Sequence, residues 1–414
     1  MPWQRAKPAA VAFAAASLLA TALAGAALVG TSQAAPELTR TASHGEADQA
    51  TGYGRRSIDG AKLWAPPADP AGEQQVRRLR AAGQGGLATG LSAMIHQPQA
   101  VWFGGGSPAS ARRGVTTVTK AAADKHEVAV VVAYDIPGRD CGMYSAGGAR
   151  SDSAYRTWID GFAQGIGKRQ AVVIVEPDAL PGLPSNCGTG GLAADEQRIA
   201  DLRYAVERLE RQPHAAVYLD AGNSDWQPVA LMAERLAQAG VSAGQGFSLD
   251  VSNFAPTPSL ERYGRMISEC LAIAAAGEPA SECPSQYEPP AEAKAWYAEH
   301  SADFNRDADL AHFVIDTSRN GQGEWTPPEQ YLSTAQIWCN PPGRGVGLRP
   351  STTTGVALVD AFLWIKTPGQ SDGSCVRWGV GPADPARHMV DPASGAWFGQ
   401  MATELVRNAN PALP

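Results

Sequence analysis

The chain has 414 residues, of which 44% are hydrophobic and 18% charged, with a formal net charge of −7. That is enough apolar material for a large core and excludes a mainly disordered protein. The acidic balance argues against a nucleic-acid binder, which usually presents a basic face.

Arg5 and Lys7 precede an uncharged stretch from Pro8 to Pro36, mostly Ala, Leu and Val between Ala9 and Gly30. Small residues at Ser32–Ala35 supply the exit that a signal peptidase needs, so residues 1–35 read as a signal peptide. A membrane anchor is the other reading of such a run. Secretion is the expectation, with no membrane association once the leader is removed. Residues 36–75 are polar, show no apolar period and read as a flexible segment. Residues 76–414 read as one catalytic domain.

Short apolar runs then alternate with helix-like stretches. The runs are Val128–Ala133, Ala171–Val175, Ala215–Leu219, Phe247–Val251, His312–Ile315 and Val356–Ile365, with a weaker one at Leu91–Ile95. Helical stretches include Asp152–Arg169, Ala194–Gln212 and Gln227–Ala239. Such alternation predicts a parallel sheet covered by helices, and six or seven units suit a closed or nearly closed α/β barrel. A doubly wound open sheet is the alternative. No G-x-G-x-x-G or P-loop fingerprint is present.

Nearly every run ends in a carboxylate: Asp135 and Asp140, Glu176 and Asp178, Asp220, Asp316 and Asp372. A single Asp there can be a helix cap or turn former. Several on one rim of a parallel fold point instead to a site. Crowded carboxylates push one another's pKa values apart, which is what glycoside hydrolysis needs. Histidines are scarce at these positions and no G-x-S-x-G elbow exists, which disfavours a Ser-His-Asp triad. No metal site or cofactor is implied. Trp102, Trp226 and Trp338 lie beside the polar clusters, where flat rings can stack on sugars, whereas Trp364 sits in an apolar run and reads as core. All six cysteines follow the leader, and an even count in a secreted chain reads as disulfides, of which sequential pairing is the simplest of several arrangements.

Tyr134–Cys141 (Tyr-Asp-x-Pro-x-Arg-Asp-Cys), Val175–Leu180 (Val-Glu-Pro-Asp-Ala-Leu), Tyr218–Gly222 (Tyr-Leu-Asp-Ala-Gly) and Trp364–Gly373 occur in this order. Together with Asp316–Gly321 and Trp338–Pro342 they resemble glycoside hydrolase family 6, the β-1,4-glucan endoglucanases and cellobiohydrolases. The resemblance implies a distorted seven-stranded parallel β/α barrel and an inverting mechanism. It implies Asp178 as general acid, Asp140 as the group that raises the acid's pKa and orders water, Asp372 as the proposed base, and Tyr134 as the ring that crowds the sugar. It implies sugar contacts at Trp102, Asp220, Asn223, Trp226, Trp338, Lys366 and Gln370. The family usually has His where Asn223 stands and Glu where Gln370 stands, so sugar affinity is expected to shift there. Bridges Cys141–Cys187 and Cys339–Cys375 are implied by the matching cysteines, and Cys270–Cys283 remains as the third pair. Acid and base on different strands can stand roughly 6.5–9.5 Å apart, as inversion requires.

Cellobiohydrolases roof the cleft with long loops. Only Gly373 and Ser374 separate Asp372 from Cys375, so an open cleft and internal cleavage are expected. The expected partner is a β-1,4-glucan, acted on by a monomer. A cellobiohydrolase and a catalytically weakened glucan-binding homologue are the alternatives.

Overall fold

A computed structural model describes residues 56–183, 191–300, 310–329, 336–377 and 383–414. Seven parallel strands pair in sequence order: β1 (Val101–Phe103), β2 (Ala129–Ala133), β3 (Ala171–Val175), β4 (Ala215–Asp220), β5 (Gly246–Leu249), β6 (His312–Asp316) and β7 (Val359–Leu363). The helices among the described residues are α1 (Pro70–Ala81), α2 (Gly85–Ile95), α3 (Pro108–Ala123), α4 (Asp152–Ile166), α5 (Gly191–Glu210), α6 (Val229–Gln238), α7 (Thr257–Ala275), α8 (Pro290–His300) and α9 (Gly399–Arg407).

The strands are β-branched runs buried on both faces, the pattern of a parallel sheet between two apolar layers. Their period of two splits them. Val131, Val173 and Val217 face outward into the helix-covered core. Val130, Val132, Val172, Ile174, Tyr218 and Val314 pack together in an inner cluster. Carrying the same parity past the strand ends puts Tyr134, Asp220 and Asp316 on the inner side, at the C-terminal rim.

The curl stops short of full closure. Among the described residues no ladder joins β7 to β1, but the Ala100 N–H donates to Trp364 O at 2.9 Å and the Trp102 indole N–H to Ile365 O at 2.8 Å. Trp364 is buried in a cluster with side chains of α1, α2 and α9, which backs this seam.

Two expectations change. Leu91–Ile95 is the last part of α2, not a strand, and the first strand is the three-residue β1. The packed body starts before residue 76: Ile58, Leu63 and Trp64 are buried, Leu63 bridges Val128, and α1 begins at Pro70 behind the capping carboxylate of Asp69. No described helix is long and apolar enough to cross a membrane. Of the disulfides, Cys270–Cys283 and Cys339–Cys375 are formed. The pairing Cys141–Cys187 falls on a residue outside the described ones.

Two glycines test this packing. A Cβ at Gly264 of α7 would lie 2.4 Å from the ring of Phe313, which is stacked on Phe247 in the buried core. Gly264→Ala should cost about 1–3 kcal/mol in a denaturant melt. Gly86→Ala, with open space around it at the start of α2, should be neutral or stabilising by up to ~1 kcal/mol.

Candidate active site

The β2 end and the β3 end are tied together by one buried side chain. Glu176 follows β3, and its carboxylate accepts the N–H groups of Asp135 and Ile136, each at 3.0 Å. Asp135 in turn accepts the Gly105 N–H at 2.6 Å, tying in the loop after β1. Burial pushes the Glu176 carboxyl up to about 8, against the two N–H donors and the Tyr155 phenol, which favour its charged form. Arg139 completes the loop's frame. Its guanidinium donates to Tyr134 O and Ser145 O and lies 4.5 Å over the Tyr134 ring.

Held in this frame are Tyr134 and Asp140. Burial and the neighbouring Asp178 and Asp140 keep the Tyr134 phenol neutral. Trp102 meets its ring edge-on at 5.2 Å. Asp140 is half-buried and accepts the Ser145 N–H. Burial raises its pKa, while that hydrogen bond and Arg139 hold it down in part.

Asp178 and Asp220 form the centre of the site. The Asp220 carboxylate accepts N–H groups from Asp178 at 2.9 Å and Gly222 at 3.3 Å, and the Ser248 hydroxyl at 3.2 Å. Burial raises Asp220 to about 7, with those donors working the other way. Asp178 is raised well above its ordinary value, first by burial and then by the charges of Asp220, Asp140 and Asp372. Donors that favour the anion thus fall on Asp220. It ionises first, and its charge retains the proton on Asp178.

Asp372 is the opposite case. It is 9% exposed, and burial alone would raise it. Arg319 donates to both its oxygens at 3.0 and 2.8 Å, Lys366 Nζ lies 3.0 Å away, and the Asn340 N–H donates at 2.9 Å. These partners hold its pKa down to about 2. Asp316 sets the cation in place by accepting the N–H groups of Ile365 and Lys366. Cys339–Cys375 pins both loops that reach Asp372.

Trp226 is 39% exposed on the loop after β4. Trp338 packs on Tyr144 with ring centres 5.9 Å apart. Asn223 is nearly buried, and its amide oxygen accepts the Asp225 N–H at 3.0 Å, so that oxygen builds the turn carrying Trp226. Gln370 is half-buried, and its backbone pairs with Trp397. Sequence reasoning counted Glu176 and Asp316 among the rim carboxylates without a role of their own, and singled out neither Arg319 nor Asn340. The available signal was their position, polar residues immediately past or between the strands' C-terminal ends. Among the described residues no group of three or more His, Cys, Asp and Glu could hold a metal ion.

The family model for glycosyl hydrolases family 6 matches residues 58–409. The chain is 39% identical over 328 residues to endoglucanase 1 of Streptomyces halstedii, covering 77% of this chain and 84% of that one. It is 36% identical over 313 residues to endoglucanase A of Cellulomonas fimi, covering 75% of this chain but 54% of that one, so it spans about half the length of this relative. The endoglucanase Cel6 of Mycobacterium tuberculosis, solved in complex with methyl-cellobiosyl-4-deoxy-4-thio-β-D-cellobioside, superposes with a TM-score of 0.65 at 33% identity, over 86% of this chain and 99% of that one.

The frame around Glu176 has a measurable signature. Its folded pKa of about 8 exceeds its ordinary 4.5, so its stabilising contribution is complete below pH 4.5 and is lost as pH rises toward 8. Tm should fall across that window, by about 1–2 °C per kcal/mol lost for a body of this size. Glu176→Gln should flatten this fall in a calorimetric pH series, whereas an unchanged slope would show that Glu176 does not carry it. With this frame in place on the matched fold, the chain belongs to glycosyl hydrolases family 6.

Proposed function

We propose that the protein is a secreted, inverting endo-β-1,4-glucanase acting on cellulose or a related β-glucan as a monomer. The observation that carries this is the division of protons among the carboxylates. Asp178 retains its proton first because it is buried and then because Asp220, Asp140 and Asp372 stand near it, and Asp372 stays anionic because Arg319 and Lys366 face it. A protonated acid beside a fixed negative charge suits departure of an alcohol from an oxocarbenium-like centre.

In this mechanism Asp178 protonates the glycosidic oxygen as the bond to the anomeric carbon breaks. A water attacks from the opposite face of the ring and inverts the centre. Asp140 orders that water and takes its proton, directly or through a second water. The family resemblance implies Asp372 as the base. Its pKa of about 2 and its paired oxygens make it a weak proton acceptor, so here it serves to stabilise positive charge. Tyr134, a neutral phenol near Asp178 and Asp140, crowds the ring at the cleavage point. Asp220 and Lys366 bind sugar hydroxyls, and Trp102, Trp226 and Trp338 offer ring faces to the chain. Asn223 contributes by holding Trp226, and Gln370 borders the Asp372 loop.

The short step from Asp372 to Cys375 and the exposed Trp226 support an open cleft and internal cuts. Release from the cell rests on the leader-like first 35 residues.

Asp178→Ala should lower hydrolysis of carboxymethylcellulose by at least about 10²-fold. Asp140→Asn should lower kcat more than KM. Undiminished activity in Asp178→Ala would remove the assignment of the acid. Proton NMR of early products should show the α-anomer appearing first; the β-anomer first would contradict inversion. Viscosity should fall steeply while few reducing ends appear, and the reverse would mean end-wise action.

A further inference from the structure

Tyr287 is 61% exposed, the most open of the large apolar side chains among the described residues. One exposed aromatic is ordinary on a protein surface. Its mounting distinguishes this one. The segment between α7 and α8 is closed by Cys270–Cys283, the Tyr297 hydroxyl donates to Pro284 O at 3.0 Å, and Arg262 donates to Gln286 O. A turn from Ser285 to Glu288, closed by the Glu288 N–H on Ser285 O at 3.1 Å, puts Tyr287 at its tip.

The preceding residue, Gln286, is buried and stitches this turn to the loop after β4. Its amide nitrogen donates to Ser224 O at 2.9 Å and Gln227 O at 3.0 Å, and its amide oxygen accepts the Val229 N–H at 3.1 Å. Ser224 and Gln227 bracket Trp226. One buried amide therefore fixes both exposed rings, Trp226 and Tyr287, to the same stretch of rim. Asp225 and Glu324 close the group. They interact with each other, and both lie near enough to act on the Tyr287 phenol.

A pyranose ring presents a face of C–H groups and an edge of hydroxyls. It is matched by a flat aromatic with carboxylate acceptors beside it. A ring already held by a disulfide and a buried amide spends little ordering entropy on contact. We propose that Tyr287, with Asp225 and Glu324, forms an outer subsite beyond Trp226 for a further glucosyl unit of a long β-glucan. The inference rests on the glucan reading above. It gives the Cys270–Cys283 staple a purpose, which is to hold a binding surface that packing alone would leave on a free loop.

The test is a calorimetric titration of the Asp178→Asn protein, in which hydrolysis is suppressed, with cellotetraose and cellohexaose. Adding Tyr287→Ala should weaken cellohexaose binding by about three- to tenfold, the range for loss of one aromatic contact, and leave cellotetraose binding unchanged. Tyr287→Phe keeps the ring and should retain most of the cellohexaose affinity. Unchanged cellohexaose affinity in Tyr287→Ala, or equal losses for both sugars, would overturn the subsite while leaving the glucan reading intact. Failure of the Asp178→Asn parent to bind either sugar would overturn the glucan reading and the subsite with it.

Discussion

Arg319 and Lys366 both face Asp372, and the protonation of Asp178 depends in part on the charge they hold there. Arg319 is fully buried and forks onto both Asp372 oxygens. A buried carboxylate without such partners would take up a proton. With them it stays anionic, and its charge adds to those that keep Asp178 protonated. Asp220 contributes in the same direction, its own charge supported by two backbone N–H groups and the Ser248 hydroxyl. The protonation of Asp178 is therefore set by where cations and donors are absent as much as by where they are present.

This allocation costs backbone strain. Asp140, Glu176, Asp178, Asp250 and Asn340 all have positive φ, between 40° and 67°, at the ends of strands or in the loops beyond them. Non-glycine residues there cost of order 1–3 kcal/mol each and persist where the surroundings over-determine them. The surroundings here are the hydrogen bonds already described: Glu176 to the Asp135 and Ile136 N–H groups, Asp220 to the Asp178 N–H, and Asp372 to the Asn340 N–H. Strained residues and acceptor carboxylates share the rim, and Glu176 and Asp140 are both at once, so the groups that would perform the chemistry sit among those that hold it in shape.

Much of this was legible in the sequence because the strands are long Val-rich runs with polar ends. Asp140, Asp178, Asp220 and Asp372 stood out by their place past the strand ends, Tyr134 and Lys366 were named through the family resemblance, and Trp364 was read as core, where it packs. The failures have physical causes. Leu91–Ile95 is a short apolar run, which periodicity cannot assign, and it closes a helix. β1 has three residues and no room to show a period. Ile58, Leu63 and Trp64 pack as isolated apolar residues in polar sequence. Asn223, expected at the sugar, also has a turn-forming use that its motif does not announce: its amide oxygen accepts the Asp225 N–H. Glu176 and Arg319 act on backbone and carboxylate groups far along the chain, contacts that no local pattern encodes.

The central claim is that the charge of Asp220 adds to burial in keeping the proton on Asp178. It is tested most directly by the alkaline limb of the pH profile of kcat/KM for carboxymethylcellulose in Asp220→Asn against the parent. That limb reports loss of the acid's proton. Removing the neighbouring charge should lower the acid's pKa and move the limb to lower pH. A limb that stays in place, or moves to higher pH, would contradict the account.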